Sequence, residues 1–291
     1  MTRTSDRERR RDPARIALYV FLLASAAFFL LPVVVVVLNS LKTMDEIRQG
    51  SLLALPASPT FDFWRIAWSS ACSGIECRGI SPGLFNSIKI AVPAVFLSVL
   101  VGALNGYALS QWKRPAADRI MLAITFGLFV PYQCMMYPTI VLARTGGLFG
   151  TYPGIVLIHV VYGIPYTTLL FRNFYAGLPD ELTKAARIEG ASFLQTFGHV
   201  MLPLSVNMLV VVGVLQFTGI WNDYFLGFIF AGNENAPMTV QLNNLVNNTR
   251  GEVAINVNMA ATILTALPTL LVYLLSGRYF VRGIAAGAVK G

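Results

Sequence analysis

A polar cluster interrupts an apolar stretch of the sequence near residue 220. Residues 215–225 read LQFTGIWNDYF, and the side chains that could contact a ligand are Gln216, Trp221, Asn222, Asp223 and Tyr224. Amides and carboxylates bind neighbouring hydroxyl groups in pairs, and aromatic rings pack against flat apolar faces. Both kinds of contact suit a sugar. In a second interpretation, Asp223 pairs with backbone groups or with a partner subunit.

A second polar position follows a proline in another apolar run. Pro131, Tyr132 and Gln133 stand together near the middle of residues 120–142. Proline breaks a helix and frees carbonyl groups, which must then line a cavity or bond to a neighbouring element. Gln133 is therefore a further candidate for contact with a molecule that passes through the protein.

No arrangement of residues predicts covalent or metal-assisted catalysis. The sequence contains neither a GxxxxGK[ST] phosphate loop nor an HExxH motif, and His159 and His199 stand far from Cys72 and Cys77. We therefore expect no enzyme activity, no metal site and no cofactor in this chain.

The composition indicates that the polar positions lie within membrane-spanning helices. A mean hydropathy of +0.62 with 12% charged residues is too apolar for a soluble domain of 291 residues. A span needs about 20 apolar residues to cross a bilayer. Runs of this kind predict an all-α membrane protein with six transmembrane helices, at residues 16–38, 90–110, 120–142, 154–171, 203–231 and 257–276.

The positions of the basic residues predict that both termini are cytoplasmic. Fifteen of the 22 Lys and Arg residues precede the first span, follow the last, or lie between spans two and three or four and five. Cytoplasmic loops carry such an excess. The net charge of +8 thus mostly reflects the basic cytoplasmic segments that orient the chain in the membrane. No nucleic acid partner is expected. Residues 1–15 form a basic cytoplasmic N-terminus, and residues 16–84 hold the first span and an outer loop.

The outer loop contains two local features. Cys72 and Cys77 stand five residues apart, where an oxidising compartment would allow a disulfide, and two free thiols are the alternative. Residues 61–68, FDFWRIAW, space their aromatic residues as a short amphipathic helix does.

The loop between spans four and five predicts two short cytoplasmic helices. The first begins with Pro179 at its first helical position and is stopped by Gly190, and the second starts at a capping box formed by Ser192 and Gln195. On the first helix, small residues would let another protein approach closely, and charges would fix its register. These residues are Leu182, Ala185 and Ala186, with Glu181, Lys184 and Arg187 around them. A hairpin that lies on the membrane is the alternative.

This loop resembles the EAA loop of binding-protein-dependent ABC importers. The family pattern is Glu-Ala-Ala, three variable residues, Gly, and later a hydrophobic residue followed by Leu-Pro. The matching residues are Lys184-Ala185-Ala186, Gly190 and Met201-Leu202-Pro203. Lys184 replaces the family's Glu, and Glu181 lies one turn earlier. Asn86-Ser87, Gly106-Tyr107-Ala108-Leu109 and the tail RYFVRGIAAGAVKG resemble the second permease of the maltose-type carbohydrate importers.

The resemblance implies a type I ABC importer permease in a bacterial inner membrane. Its partners would be a homologous permease (forming a heterodimer), two nucleotide-binding ATPase subunits that hold ATP and Mg²⁺, a periplasmic or lipid-anchored sugar-binding protein, and membrane lipid. Residues 85–281 would form the permease core, with the coupling loop at 177–203 and a cytoplasmic tail at 282–291. The coupling residues would be Glu181, Lys184, Ala185, Ala186, Arg187, Gly190 and Pro203.

The transported sugar and the energy source leave alternatives open. Residues 256–283 are similar to those of glucose or mannose importer permeases, and a disaccharide such as trehalose or maltose is the alternative. An ATP-independent secondary transporter would carry inverted repeats and intramembrane ion sites. A membrane anchor without a pathway would explain the loop and leave the polar cluster near residue 220 unexplained.

Overall fold

A computed structural model describes residues 13–72, 77–248 and 254–288, and in this part of the chain helices are joined by loops, without strands. The helices are α1 (Pro13–Ser40), α2 (Met44–Gln49), α3 (Asp62–Ser69), α4 (Ser81–Gln111), α5 (Pro115–Phe129), α6 (Met136–Thr145), α7 (Tyr152–Ala176), α8 (Asp180–Ile188), α9 (Phe193–Thr196), α10 (Leu202–Leu204), α11 (Val206–Trp221), α12 (Phe225–Phe230), α13 (Met238–Val246) and α14 (Ile255–Ala288). A π-helical turn, Phe197–Met201, joins α9 to α10. The basic residues before Arg15 and the last three residues of the predicted tail lie outside the described residues.

Four of these helices are long and apolar enough to cross a membrane. They are α1, α4, α7 and the first part of α14, and α9–α11 add a fifth span if the bent segment is counted as one. The predicted third span is divided into α5 and α6 by the turn around Pro131, so neither half meets the length of a span by itself. The count of six therefore stays a prediction.

The predicted fifth span, residues 203–231, is divided at two points. The segment Phe193–Leu204 meets α11 at an angle of 80°, with Ser205 between them. A second break, at Asn222–Tyr224, separates α11 from α12. The sequence predicted one span here, because the polar residues Asn222, Asp223 and Tyr224 were interpreted as a ligand contact within a helix and not as a break in it.

The closest helix pair is α4 against α7. An added Cβ at Gly102 would lie 2.1 Å from Thr167 Oγ1, and one at Gly106 would lie 2.6 Å from the backbone nitrogen of Arg172. The two glycines are four residues apart, the spacing that lets helix backbones approach in membranes. Thr167 Oγ1 lies 3.0 Å from the carbonyl oxygen of Ser98, which adds a hydrogen bond between the helices.

Packed clusters of buried side chains cover both ends of this crossing. At one end, Ile90 and Ala94 of α4 pack with Ile155 and Ile158 of α7 and with Phe230 of α12. At the other end, the buried residues come from α4, α7 and the segment that leads into α11, namely Tyr107, Phe171, Tyr175, Phe197, Met201 and Val212.

The loop after α1 packs against the rest of the chain. Helix α3 matches the predicted amphipathic helix, and its Trp64 Nε1 lies 3.2 Å from Ser40 Oγ. A third cluster places Ala67 of α3 beside Trp221 and the start of α14. The buried Lys42 donates from Nζ to the carbonyl of Ser51 at 3.1 Å. These contacts fix the loop as a cover over α14.

The motif Asn86-Ser87 fastens the segment between α12 and α13 to α4. Asn86 Nδ2 donates to the carbonyls of Glu234 and Ala236 at 2.9 and 3.1 Å. The backbone nitrogen of Met238 donates to Ser87 Oγ at 2.8 Å. This part of the resemblance thus has a structural reason that no hydropathy pattern reveals.

Replacing Gly102 with Ala should destabilise the chain by about 1–3 kcal/mol, because the new Cβ would push α4 away from Thr167. Gly127→Ala is the matched control, since nothing lies within 4 Å of a Cβ at Gly127. Thermal unfolding in detergent measures both variants. Equal midpoints for Gly102→Ala and Gly127→Ala would show that the close approach of α4 and α7 contributes nothing to stability.

Candidate functional site

The loop between α7 and α11 forms a helical hairpin, which we define as residues 179–204. Its first arm is α8, which begins at Asp180 with Pro179 as its N-cap residue, one position later than the sequence predicted. Asp180 and Glu181 occupy the first turn and Arg187 the last, which places each charge at the helix end that favours it. The local chemistry of the sequence therefore accounts for this arm.

Gly190 makes the turn between the two arms. Its φ of +84° lies in the left-handed region, which residues with a side chain adopt only at a cost. The second arm starts two residues later with the predicted capping box. Ser192 N donates to Gln195 Oε1 at 2.8 Å, and Gln195 N donates to Ser192 Oγ at 3.4 Å. The capping-box prediction is confirmed.

An aromatic stack anchors the second arm to α4. The ring of Tyr107 stacks on Phe193 with centroids 4.7 Å apart and on Phe197 with centroids 5.6 Å apart. Tyr175 of α7 meets the same ring edge-on at 5.8 Å. The π-helical turn begins at Phe197. Single π turns of this kind are frequent at functional sites.

A polar contact closes the anchored side of the hairpin. Ser205, at the bend before α11, is fully buried, and its Oγ lies 2.9 Å from Tyr175 Oη. The hydroxyl of Ser205 also reaches the carbonyl of Met201. The bend into α11 is therefore joined to α7 by the same residues that hold the hairpin.

The residues that α8 exposes are not all those that the sequence predicted. Ala186 and Thr183 are buried, and Leu182 packs against the cluster around Tyr107. Ala185 and Ile188 are on the outer face, where Ile188 is 87% exposed. Leu182 and Ala186 thus serve the hairpin's own packing. The exposed residues of the predicted coupling set are Glu181, Lys184, Ala185, Arg187, Gly190 and Pro203.

An ion pair joins α8 to the loop before α5. Lys113 Nζ bonds to Asp180 Oδ2, and this hydrogen bond, together with the charge of Lys113, holds the pKa of Asp180 below its ordinary value. A carboxylate with a lowered pKa keeps its pair at neutral pH and loses it only as the pH falls through that lowered value. Next to this pair, Arg172 Nη2 of α7 bonds to Asp118 Oδ1 of α5 at 2.8 Å. In the described chain, Lys184 has no ion pair.

The polar cluster near residue 220 is divided between buried and open positions. Trp221 is 1% exposed, and its Nε1 donates to the carbonyl of Thr265 at 3.0 Å, so it packs α11 against α14. Gln216 is buried, and an added Cβ at Gly163 would lie 2.1 Å from its Nε2. Asn222, in contrast, is exposed at the end of α11.

Asp223 and Tyr224 hold the break between α11 and α12. Asp223 Oδ2 accepts from the backbone nitrogen of Gly227 at 3.0 Å, and its carbonyl accepts from Thr239 Oγ1 at 2.7 Å. Tyr224 Oη lies 3.2 Å from Asn243 Oδ1. Asp223 therefore has the backbone partner that the second sequence interpretation gave it.

Gln133 lies in the turn between α5 and α6, at an exposed position. Its neighbour Tyr132 meets Tyr162 and Phe225 edge-on, with centroids 6.3 and 6.1 Å apart. Tyr132 and Tyr162 also line a largely apolar cavity of about 730 Å³ that extends along α7. The structure does not bring Gln133 together with the cluster near residue 220 by any hydrogen bond between described residues.

Cys72 and Cys77 form a disulfide in the structure. The carbonyl of Cys72 accepts from Asn248 Nδ2 at 3.1 Å, which joins the outer loop to the segment after α13. The described residues contain no group of His, Cys, Asp and Glu side chains that could hold a metal ion.

A protein-family model matches most of the sequence that forms these helices. Residues 94–285, about two thirds of the 291, match the model described as the inner membrane component of binding-protein-dependent transport systems. The chain belongs to this family. It is therefore a multi-pass membrane transport component, and the resemblance to ABC importer permeases is confirmed.

Similar proteins carry related descriptions. A probable ABC transporter permease of Pyrococcus horikoshii is 38% identical over 287 residues, which covers 97% of this chain and 100% of that protein. The trehalose transport permease of Mycobacterium tuberculosis is 30% identical, covering 91% of this chain and 93% of that one. The fold of this permease is also that of a chain in the crystal structure of a bacterial ABC transporter involved in alginate import. The TM-score is 0.79 at 21% identity, with 96% of this chain and 100% of the other covered.

The aromatic stack that holds the hairpin was not predicted from the sequence. Phe193 and Phe197 are four residues apart and so share one face of the second arm. That spacing was available from the sequence, but Tyr107 lies more than eighty residues away, and only the tertiary structure pairs them.

Replacing Tyr107 with Leu should loosen the hairpin without unfolding the permease. Aromatic pairs contribute about 0.5–1.5 kcal/mol each beyond their area, so losing two stacks should raise local opening about tenfold. Tryptic cleavage after the exposed Lys184 and Arg187 measures that opening. Tyr137→Leu is the control, because Tyr137 is 77% exposed on α6. Equal cleavage rates in both variants would rule out the stack as the anchor.

Proposed function

We propose that the chain is one of two permease subunits of an ATP-binding-cassette sugar importer in a bacterial inner membrane. It crosses the membrane six times with both termini in the cytoplasm, and pairs with a homologous permease. A sugar-binding protein delivers the substrate from outside. Two separate ATPase subunits hold ATP and Mg²⁺, and they act on this chain through the hairpin.

The observation that carries the proposal is the two-sided hairpin. One side is fastened to α4 and α7 by Tyr107, Phe193 and Phe197. The other side exposes the apolar Ile188 among the charges of α8. An exposed helix face of this kind fits a hydrophobic groove on a partner protein. Movement of that partner would then reach the spans through the aromatic stack.

The transport mechanism that we propose is a rearrangement of the complex between two states. ATP binding closes the ATPase pair, α8 moves with the groove that holds it, and the packed helices tilt so that the pathway opens outward. Hydrolysis resets the pair. Such a device depends on contacts that differ between the two states, so tight binding of α8 in one state alone would not drive transport.

The pathway residues that we propose are Gln133, Gln216, Trp221, Asn222, Asp223 and Tyr224. Asn222 and Gln133 are exposed and free to meet a passing sugar in at least one state. Trp221 and Asp223 already have partners within the chain. Their contribution would be to hold the break between α11 and α12, where freed backbone groups must be satisfied or line a cavity.

The substrate that we propose is a monosaccharide of the glucose or mannose type, on the resemblance of residues 256–283. A disaccharide is the alternative, and the similarity to a trehalose transport permease favours it. An ATP-independent secondary transporter is the remaining alternative. It would leave the exposed face of α8 without a role.

Purification from the native membrane followed by reconstitution tests the proposal. We expect the tagged chain to retain a second permease and a nucleotide-binding subunit, and the complex to take up labelled glucose or mannose only with ATP and binding protein present. Competition by unlabelled trehalose or maltose identifies the disaccharide alternative. Uptake by the chain alone, without ATP, would contradict the importer and indicate a secondary transporter.

Replacing Gly190 with Val should uncouple ATP hydrolysis from uptake. A side chain at its φ of +84° costs about 1–2 kcal/mol, and nothing else lies within 4 Å, so the strain stays in the turn between the arms. We expect the sugar taken up per ATP hydrolysed to fall several-fold.

Gly190→Asn is the matched control for that variant, because Asn tolerates the left-handed conformation far better. Assembly is checked by co-purification of the ATPase subunit. Normal uptake per ATP in Gly190→Val, with assembly intact, would remove the turn from the coupling mechanism.

A further inference from the structure

A polar cavity lies where α4 ends and α5 begins. Its volume is about 400 Å³, and it is lined by Ser110, Trp112, Lys113, Arg114, Asp118 and Arg172 together with two apolar residues. It is separate from the polar cluster near residue 220 and from the exposed face of α8. Neither the sugar pathway nor the docking of an ATPase subunit explains it.

The charges around this cavity are not balanced by its own carboxylate. Three cations and one carboxylate line it, which leaves a net charge of +2. Arg172 Nη2 pairs with Asp118, and Lys113 pairs with Asp180 outside the lining. Within the described residues Arg114 has no ion pair, and the ion pair of Arg172 with Asp118 uses only its Nη2. The site therefore holds donors for an anion with several oxygens.

The N-terminal end of α5 adds to the positive electrostatic potential in the cavity. Arg114 is its N-cap residue without a side-chain cap, and Pro115 is in its first turn. The N-terminal end of this 15-residue helix carries a partial positive charge and backbone N–H groups that favour an anion. The basic side chains of Lys113, Arg114 and Arg172 and a helix N-terminus thus meet at one cavity.

The surroundings of the cavity indicate that the anion belongs to a lipid. Trp112 is 44% exposed, and Trp favours the boundary between hydrocarbon and water. Along α5 the exposed residues become apolar, with Leu122 at 70% and Phe126 at 67% exposure. A headgroup in the cavity would leave its acyl chains beside these side chains. Basic pockets between spans are known binding sites for anionic headgroups.

We propose that this cavity binds the phosphate of an anionic phospholipid, with Lys113, Arg114 and Arg172 as its donors. The phosphate would offer Lys113 a second acceptor besides Asp180, the first residue of α8. Anionic lipid would thereby affect how firmly α8 is held, a consequence that rests on the proposed function of the hairpin.

Native mass spectrometry of the complex purified from its membrane tests the binding. Phosphatidylglycerol is added to the delipidated complex, and its retention is compared among the wild type, Arg114→Gln and Arg119→Gln. Arg119 is an exposed arginine on the same helix that does not line the cavity, so it controls for general charge. Loss of one charge-assisted contact should weaken retention about tenfold in Arg114→Gln, and Arg119→Gln should match the wild type.

Two results would overturn the proposal. Equal retention by Arg114→Gln and Arg119→Gln would show that the lipid is held elsewhere. Displacement of phosphatidylglycerol by millimolar inorganic phosphate, with equal stabilisation by phosphate alone, would identify a free anion as the ligand. The readout does not involve transport, so its failure leaves the proposed function standing.

Discussion

Helices α4 and α7 approach each other so closely that their backbones are nearly in contact. Gly102 and Gly106 leave no room for side chains, and the hydrogen bond of Thr167 fixes the register of the two backbones. Apolar burial gives little drive for helices to associate in lipid, so close packing of this kind must supply it. The close packing of α4 and α7 also determines which side chains lie together at the end that contacts the hairpin. Gly106 brings Tyr107 beside Tyr175, and together they form the surface on which the hairpin rests.

The hairpin is joined to the spans by two kinds of contact, an aromatic stack and an ion pair. Stacked rings bind the second arm to α4, whereas the ion pair of Lys113 with Asp180 is exposed to water, with 69% and 44% of the two side chains accessible. Exposed ion pairs contribute little to stability. The stack is therefore suited to transmit movement, and the ion pair to respond to the ions and lipids near the membrane surface.

The local features could be predicted from the sequence, and the features that depend on distant residues could not. The turn at Gly190, the capping box and the amphipathic α3 arise from neighbouring residues, so their patterns are complete in the sequence. The breaks at Ser205 and at Asn222–Tyr224 are stabilised by Tyr175, Thr239 and Asn243, which no local window contains. Trp221 suggested a sugar contact by type alone, but its partner is a backbone carbonyl of α14.

In the mechanism that we propose, the hairpin and α4 move as one unit when the ATPase subunits close. Double electron–electron resonance measures the distance between a spin label at the exposed Glu189 and another at the exposed Val92 of α4. Val92 lies roughly 22 Å from Tyr107 along the axis of α4. Cys134 is replaced by Ser beforehand. If the hairpin and α4 move together, the distance distribution is the same in the nucleotide-free and the ATP-bound complex. A shift of several ångströms between those states would mean that the hairpin pivots on α4 and that the stack does not transmit the movement.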